Sequence, residues 1–211
     1  MKRVLVVLCI ILLAINLGFA ENLKEVISHY HPDMSKGLIY VSKAEMTLTL
    51  ADSHGTVIRT YPMACGKGIG PKRQKGDMKT PEGVFSLQMI QKASSWGHNF
   101  NDGKGYIRHA YGPWFLRLKT PGFSGIGIHG THAPESIGSR ATEGCIRLTN
   151  SDIADLHDRV TLGMTVIIGP EAAGEVKPLA PDSVIRYLRP VWCWPPLDEQ
   201  RVATPVTIDK Q

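Results

Sequence analysis

Two residues of this chain have the chemistry for covalent catalysis, His129 and Cys145, which are 145 − 129 = 16 positions apart. A cysteine thiol ionises near a pKa of about 8.5, so at neutral pH it needs a neighbouring base or cation to become a competent nucleophile. His129 lies in Gly127-Ile128-His129-Gly130 and Cys145 in Gly144-Cys145-Ile146-Arg147-Leu148, each beside glycine at the end of a short apolar, strand-like run. The intervening residues let the chain leave one strand, loop out through Pro134 and Gly138, and return beside its start. Thiol and imidazole would then meet at adjacent strand ends, an arrangement suited to acyl transfer. The competing reading is a cysteine that simply packs as a small buried hydrophobe.

The surrounding strings give the pair more weight. Gly127-Ile128-His129-Gly130-Thr131-His132-Ala133-Pro134-Glu135-Ser136-Ile137-Gly138, followed by Ala141-Thr142-Glu143-Gly144-Cys145-Ile146-Arg147-Leu148-Thr149-Asn150, resembles the catalytic signature of the L,D-transpeptidases, bacterial cell-wall enzymes. Lys75-Gly76-Asp77-Met78-Lys79-Thr80-Pro81-Glu82-Gly83-Val84-Phe85 resembles a second signature of that family. The resemblance covers residues 38 to 169. It implies a mainly β, β-sandwich-like catalytic fold with one or two short helices, no cofactor or metal, and peptidoglycan stem peptides as donor and acceptor. It also implies that Cys145 is the nucleophile and His129 the base, oriented by the backbone carbonyl at Gly130. The amides of Gly144 and Cys145 are the best-placed donors for a developing oxyanion. One position departs from the family pattern, since Glu143 stands where a histidine is usual. A carboxylate there would raise the thiol pKa, and it is expected to bond loop amides or pair with Arg140 or Arg147.

Substrate contacts are less sharply marked. Arg147, two residues beyond Cys145 and so on the same side of a strand, could grip a stem-peptide carboxylate as a bidentate fork, or form a structural ion pair instead. Residues 94 to 113 form a long irregular insertion of the kind often used as a lid. From it and its flank, Tyr111 and Trp114 read equally as flat substrate-binding surface or as cover for the core. His98 and His109 read as surface loop residues. His132, three after His129, invites a zinc site, but no third ligand has the spacing for one.

Elements that must position these groups are legible. Residues 23 to 29 suggest a short helix, and Leu38 to Val41, Met46 to Leu50 and Val57 to Met63 suggest consecutive antiparallel strands. Val84 to Ile90, Trp114 to Leu118, Gly125 to Ile128, Cys145 to Leu148 and Met164 to Ile168 supply further strands. Gly66 to Lys79 is glycine-rich and basic but lacks the Lys-Ser or Lys-Thr pair of a P-loop. Thr149-Asn150-Ser151-Asp152 has capping-box form and predicts a helix from about Ser151 to Val160, ended by Gly163.

The ends bear on localisation. Lys2 and Arg3, an uncharged run from Val4 to Phe19, and Gly18-Phe19-Ala20 have the form of a cleaved secretory signal over residues 1–20. Residues 21–37 are a lead-in to a catalytic domain at 38–169, and 170–211 are a linker and Pro/Trp-rich tail. The expectation is an exported protein of the periplasm or cell envelope, with no membrane span in its mature form; an uncleaved anchor is the second reading, and a monomer is favoured although the sequence leaves the oligomeric state open. Removing two basic residues from 24, against 19 acids, leaves 22 − 19 = +3, too weak and scattered a charge to favour nucleic acid. Cys9 would leave with the signal, so Cys65, Cys145 and Cys193 remain, and an odd count leaves at least one thiol unpaired. Cys65 reads as core packing, a redox partner of Cys193, or a bystander.

Overall fold

The computed structural model describes residues 23–103 and 105–171. The signal-like segment and the Pro/Trp-rich tail with Cys193 lie outside the described residues. Residues 23–30 form helix α1. The alternating runs that follow become β1 (Leu38–Ser42), β2 (Thr47–Ala51) and β3 (Val57–Pro62), paired as successive antiparallel neighbours. Next come β4 (Cys65–Gly66), β5 (Gly83–Lys92), β6 (His98–Asn99), β7 (Tyr106–Ile107), β8 (Trp114–Lys119), β9 (Gly127–His129), β10 (Arg140–Thr142) and β11 (Ile146–Arg147). Helix α2 (Asn150–His157) and β12 (Thr165–Ile168) complete the domain.

Eight strands form one sheet in the order β11-β9-β8-β5-β12-β1-β2-β3. The last strand is therefore central, parallel to β1 and antiparallel to β5. Side chains alternate across each strand, so the sheet has two apolar faces. Leu48, Leu50 and Tyr61 from one end of the strand order share a buried cluster with Leu116, Ile128 and Ile146 from the other, together with Ile153 and Leu156 of α2. A flat sheet could not bring these together, so it curls around them, in keeping with the mainly β, sandwich-like expectation. On the outer face Leu23 and Val26 of α1 cover Leu38, Ala51 and Ile167.

At α2 Thr149 caps the helix, but the Asp152 carboxylate takes the Thr149 hydroxyl rather than its backbone amide. Thr149 Oγ1 accepts the Asp152 amide at 3.1 Å and donates to Asp152 Oδ2 at 2.7 Å. The helix stops at His157, earlier than the periodicity predicts, and Val160 is buried beyond it in the connection to β12.

Lys43, which reads in sequence as a turn residue, is fully buried. A buried ammonium is costly unless paired, and its Nζ reaches Glu82 Oε1 at 2.6 Å and Glu171 Oε1 at 2.8 Å. Glu171 also pairs with Arg140. One charge cluster thus joins the β1–β2 turn, the loop before β5 and the segment after β12.

Candidate active site

β9 and β11 pair in parallel, with Ile146 opposite Ile128 and Arg147 opposite His129. Cys145 therefore enters at one end of this short ladder and His129 leaves at the other. The sequence expectation of a direct meeting at adjacent strand ends is corrected to a stagger of two positions along the same face. A parallel neighbour starts where its partner starts, so the exit of one strand cannot lie level with the entry of the other.

His129 is 3% exposed and stacks on Phe115 of β8, with ring centroids 5.5 Å apart and planes 5° apart. Its Nδ1 lies 2.6 Å from the Gly130 carbonyl oxygen. A carbonyl can only accept, so Nδ1 carries the proton and Nε2 is left as the basic nitrogen. Asn150 Oδ1 steadies this turn by accepting the Thr131 amide at 2.8 Å. Gly112, at φ +64°, closes over it; a Cβ there would lie 2.8 Å from Gly130 Cα and 2.9 Å from Thr131 N. Neither Asn150 nor Gly112 stands out in the sequence, since each acts through a backbone that only the fold brings near.

Thr142 organises the turn that carries Cys145. Its buried Oγ1 accepts the Gly144 amide at 3.1 Å and donates to the Cys145 carbonyl at 2.6 Å. Gly144 adopts φ +131°, and a Cβ there would lie 2.7 Å from the Lys79 carbonyl oxygen. The Gly144 N–H, expected as an oxyanion donor, is bonded to Thr142 in this structure. Among the described residues no acceptor takes the Cys145 N–H.

Charge around the pair favours neutral partners at rest. The Cys145 thiol is partly covered and donates to the Gly125 carbonyl at 3.4 Å. Burial pushes its pKa up to about 11, against the pull of the Gly127 amide, Arg117 and Arg147, while Glu143 adds to the rise. Burial also pushes His129 down to about 3, and Arg147 adds to that fall. Arg147 is 4% exposed; its Nη1 donates to Ser136 Oγ at 2.9 Å, and its buried Nε has no partner among the described residues.

The two aromatic candidates separate. Tyr111 packs edge-on against His129 at 4.9 Å, and burial together with Cys145 and Glu143 pushes its hydroxyl up to about 12. Trp114 is not brought to the pair; its ring stacks on His157 of α2 at 3.7 Å. The insertion is not wholly irregular, since β6 and β7 pair as a small hairpin. Within it His98 is more than a surface residue. Its Nε2 meets Glu143 Oε2 at 3.1 Å, so Glu143 takes a partner 45 positions away rather than Arg140 or Arg147. His109 Nδ1 bonds the Ser94 carbonyl. His132 Nδ1 lies 3.3 Å from the Ala110 carbonyl, and with His109, Thr131 and Asn150 it lines a groove of about 440 Å³. Cys65 is free and lies in the core, its sulfur 3.5 Å from Arg140 Nη1.

A family profile, the YkuD L,D-transpeptidase catalytic domain, matches residues 36–168. The chain belongs to the L,D-transpeptidase family. Among the family's curated members, ErfK/SrfK of Salmonella typhimurium strain LT2, named a probable L,D-transpeptidase, is 54% identical over 154 residues, covering 65% of this chain and 45% of that protein. YkuD of Bacillus subtilis strain 168, which also carries an L,D-transpeptidase name, is 34% identical over 130 residues, covering 62% of this chain and 64% of its own. The chain thus spans less than two thirds of the length of either relative. Similar solved structures include an L,D-transpeptidase from Mycobacterium smegmatis, with 23% identity, TM-score 0.48 and coverage of 63% and 58% of the two chains. A Cys-to-Ser variant of the Enterococcus faecium L,D-transpeptidase has 18% identity, TM-score 0.49 and coverage of 64% and 50%.

Proposed function

We propose that this chain is an exported L,D-transpeptidase whose Cys145 carries the acyl group of a peptidoglycan tetrapeptide stem to an amine acceptor. The observation that carries the reading is the fixed tautomer of His129. With Nδ1–H held by the Gly130 carbonyl, Nε2 is free to accept a proton on the face of the ladder that Cys145 shares.

The chemistry then runs in two halves. In the first, His129 Nε2 takes the thiol proton as Cys145 Sγ bonds to the carbonyl carbon before the terminal D-alanine. The Cys145 N–H meets the developing oxyanion; one such donor contributes about 3 kcal/mol in comparable sites. The C–N bond breaks, and the imidazolium returns its proton to the leaving D-alanine amine. In the second half the acceptor amine attacks the thioester carbonyl and loses its proton to His129, and the thiol is released with that proton restored. Arg147 favours the thiolate by charge, and its guanidinium would hold the stem carboxylate. Tyr111 provides a wall of the site.

Residues 1–20 would direct export to the cell envelope. Among the described residues no helix is long and apolar enough to cross a membrane. Incubation with tetrapeptide muropeptides, resolved by mass, tests the assignment. Crosslinked dimers that disappear in Cys145→Ala are expected. Tripeptide monomers alone would replace transfer with carboxypeptidase chemistry, and dimers formed by Cys145→Ala would remove the nucleophile.

A further inference from the structure

The contact between His98 and Glu143 links two parts of the chain with no other reason to be joined. Glu143 lies two residues before the nucleophile, on the turn held by Thr142. His98 lies in β6 of the 94–113 insertion, whose base is closed by the Ala110 amide donating to the Trp96 carbonyl at 3.0 Å. Both side chains are about one-third exposed, 32% for His98 and 35% for Glu143. Pairs so accessible to water add little to stability, so the value of this one lies in what it positions.

What it positions is an aromatic chain leading to the base. The His98 ring packs against Phe100 at 4.6 Å and Tyr111 at 5.9 Å. Phe100 in turn meets His132 at 5.3 Å, and Tyr111 meets His129 at 4.9 Å. The insertion therefore touches the His129 side through its rings and the Cys145 side through one polar contact. Of the charged groups that act on Cys145, Arg117 of β8 and Arg147 of β11 favour its thiolate, and Glu143 opposes it.

We infer that His98 is a positioning residue for the nucleophile: through Glu143 it ties the insertion to the turn carrying Cys145 and keeps that carboxylate engaged, so that seating of the insertion and reactivity of the thiol are coupled. This rests on Cys145 being the reactive group. Without His98 the carboxylate loses its hydrogen-bond partner on the insertion and is free to turn toward the thiol, while the insertion loses its only polar tie to that turn among the described residues.

A double-mutant cycle tests the coupling. Full-length wild type, His98→Ala, Glu143→Gln and the double variant are treated with iodoacetamide at neutral pH, and alkylation is followed by mass on the peptide containing Cys145. The insertion is untied in both proteins that lack His98, so the effect of Glu143→Gln between them reports the charge alone. Glu143→Gln is expected to speed alkylation about 3- to 10-fold in the His98→Ala background, the equivalent of roughly half to one pKa unit, and less than about 2-fold when His98 is present. Amide hydrogen exchange in 96–109 should rise in His98→Ala and stay near wild type in His98→Gln, which keeps a donor. Equal effects of Glu143→Gln in the two backgrounds, or exchange unchanged by His98→Ala, would overturn the inference. The cycle reads a thiol rather than a turnover, so a protein that makes no crosslinks would defeat the transpeptidase reading and still report on this one.

Discussion

Arg147 stands directly across the β9–β11 pair from His129, and Cys145 lies two positions earlier on the same face. The imidazole's strand neighbour is thus a guanidinium rather than the thiol. A cation in that place disfavours imidazolium and favours thiolate, so it acts on both groups without itself moving a proton.

The thiol should titrate alone. With Cys145 pushed up to about 11 and His129 down to about 3, both are neutral at pH 7. Alkylation of Cys145 is therefore expected to rise with pH throughout the neutral and alkaline range. A plateau below pH 7, the mark of a preformed thiolate–imidazolium pair, would contradict this.

His129 should make the fold sensitive to acid. The unfolded chain binds a proton at the ordinary histidine value of 6.5, whereas the folded chain resists doing so until about pH 3. The folded-state pKa is depressed, so this contribution is fully present above 6.5 and is lost as pH falls from there toward 3. The slope from one such group is at most about 1.4 kcal/mol per pH unit. Urea midpoints measured across that window should fall less steeply for His129→Gln than for wild type.

Thr142→Val keeps the shape of the side chain but removes both bonds of its hydroxyl. The Gly144 amide and the Cys145 carbonyl then lose their partner in a buried turn. A cost of about 1–3 kcal/mol is expected in denaturant titration, together with a lower transfer rate in the folded fraction.

Gly112→Ala should be more damaging. The new Cβ would press on Gly130 Cα and Thr131 N, in a backbone conformation that favours glycine. The Gly130 carbonyl that orients His129 would shift, so transfer should fall more than ten-fold with Cys145 still alkylated; normal transfer would show that the turn tolerates the displacement.

Much of this arrangement is legible in the sequence because it is written in local patterns. Alternation in Thr47–Ala51 and the Thr149–Asp152 capping pair each declare an element within a few residues. The two-residue strands β4, β6, β7 and β11 are too short to show any period, and the parallel register that staggers His129 and Cys145 depends on a pairing that local pattern does not encode. Lys43 shows the same limit more sharply. Its neighbours read as a turn, and its burial follows from Glu82 and Glu171, which are 39 and 128 positions away. The partner of Glu143 was hidden likewise, since nothing near His98 marks it as anything but a loop residue.

The central place of β12 has a consequence for how the molecule comes into being. β1 cannot gain its parallel neighbour, nor β5 its antiparallel one, until residues 165–168 exist. A growing chain that already contains both His129 and Cys145 still has a sheet split down the middle, with two open edges. The half that carries His129 and Cys145, β11-β9-β8-β5, is therefore joined to the half built from β1, β2 and β3 only by the last strand of the domain to be made.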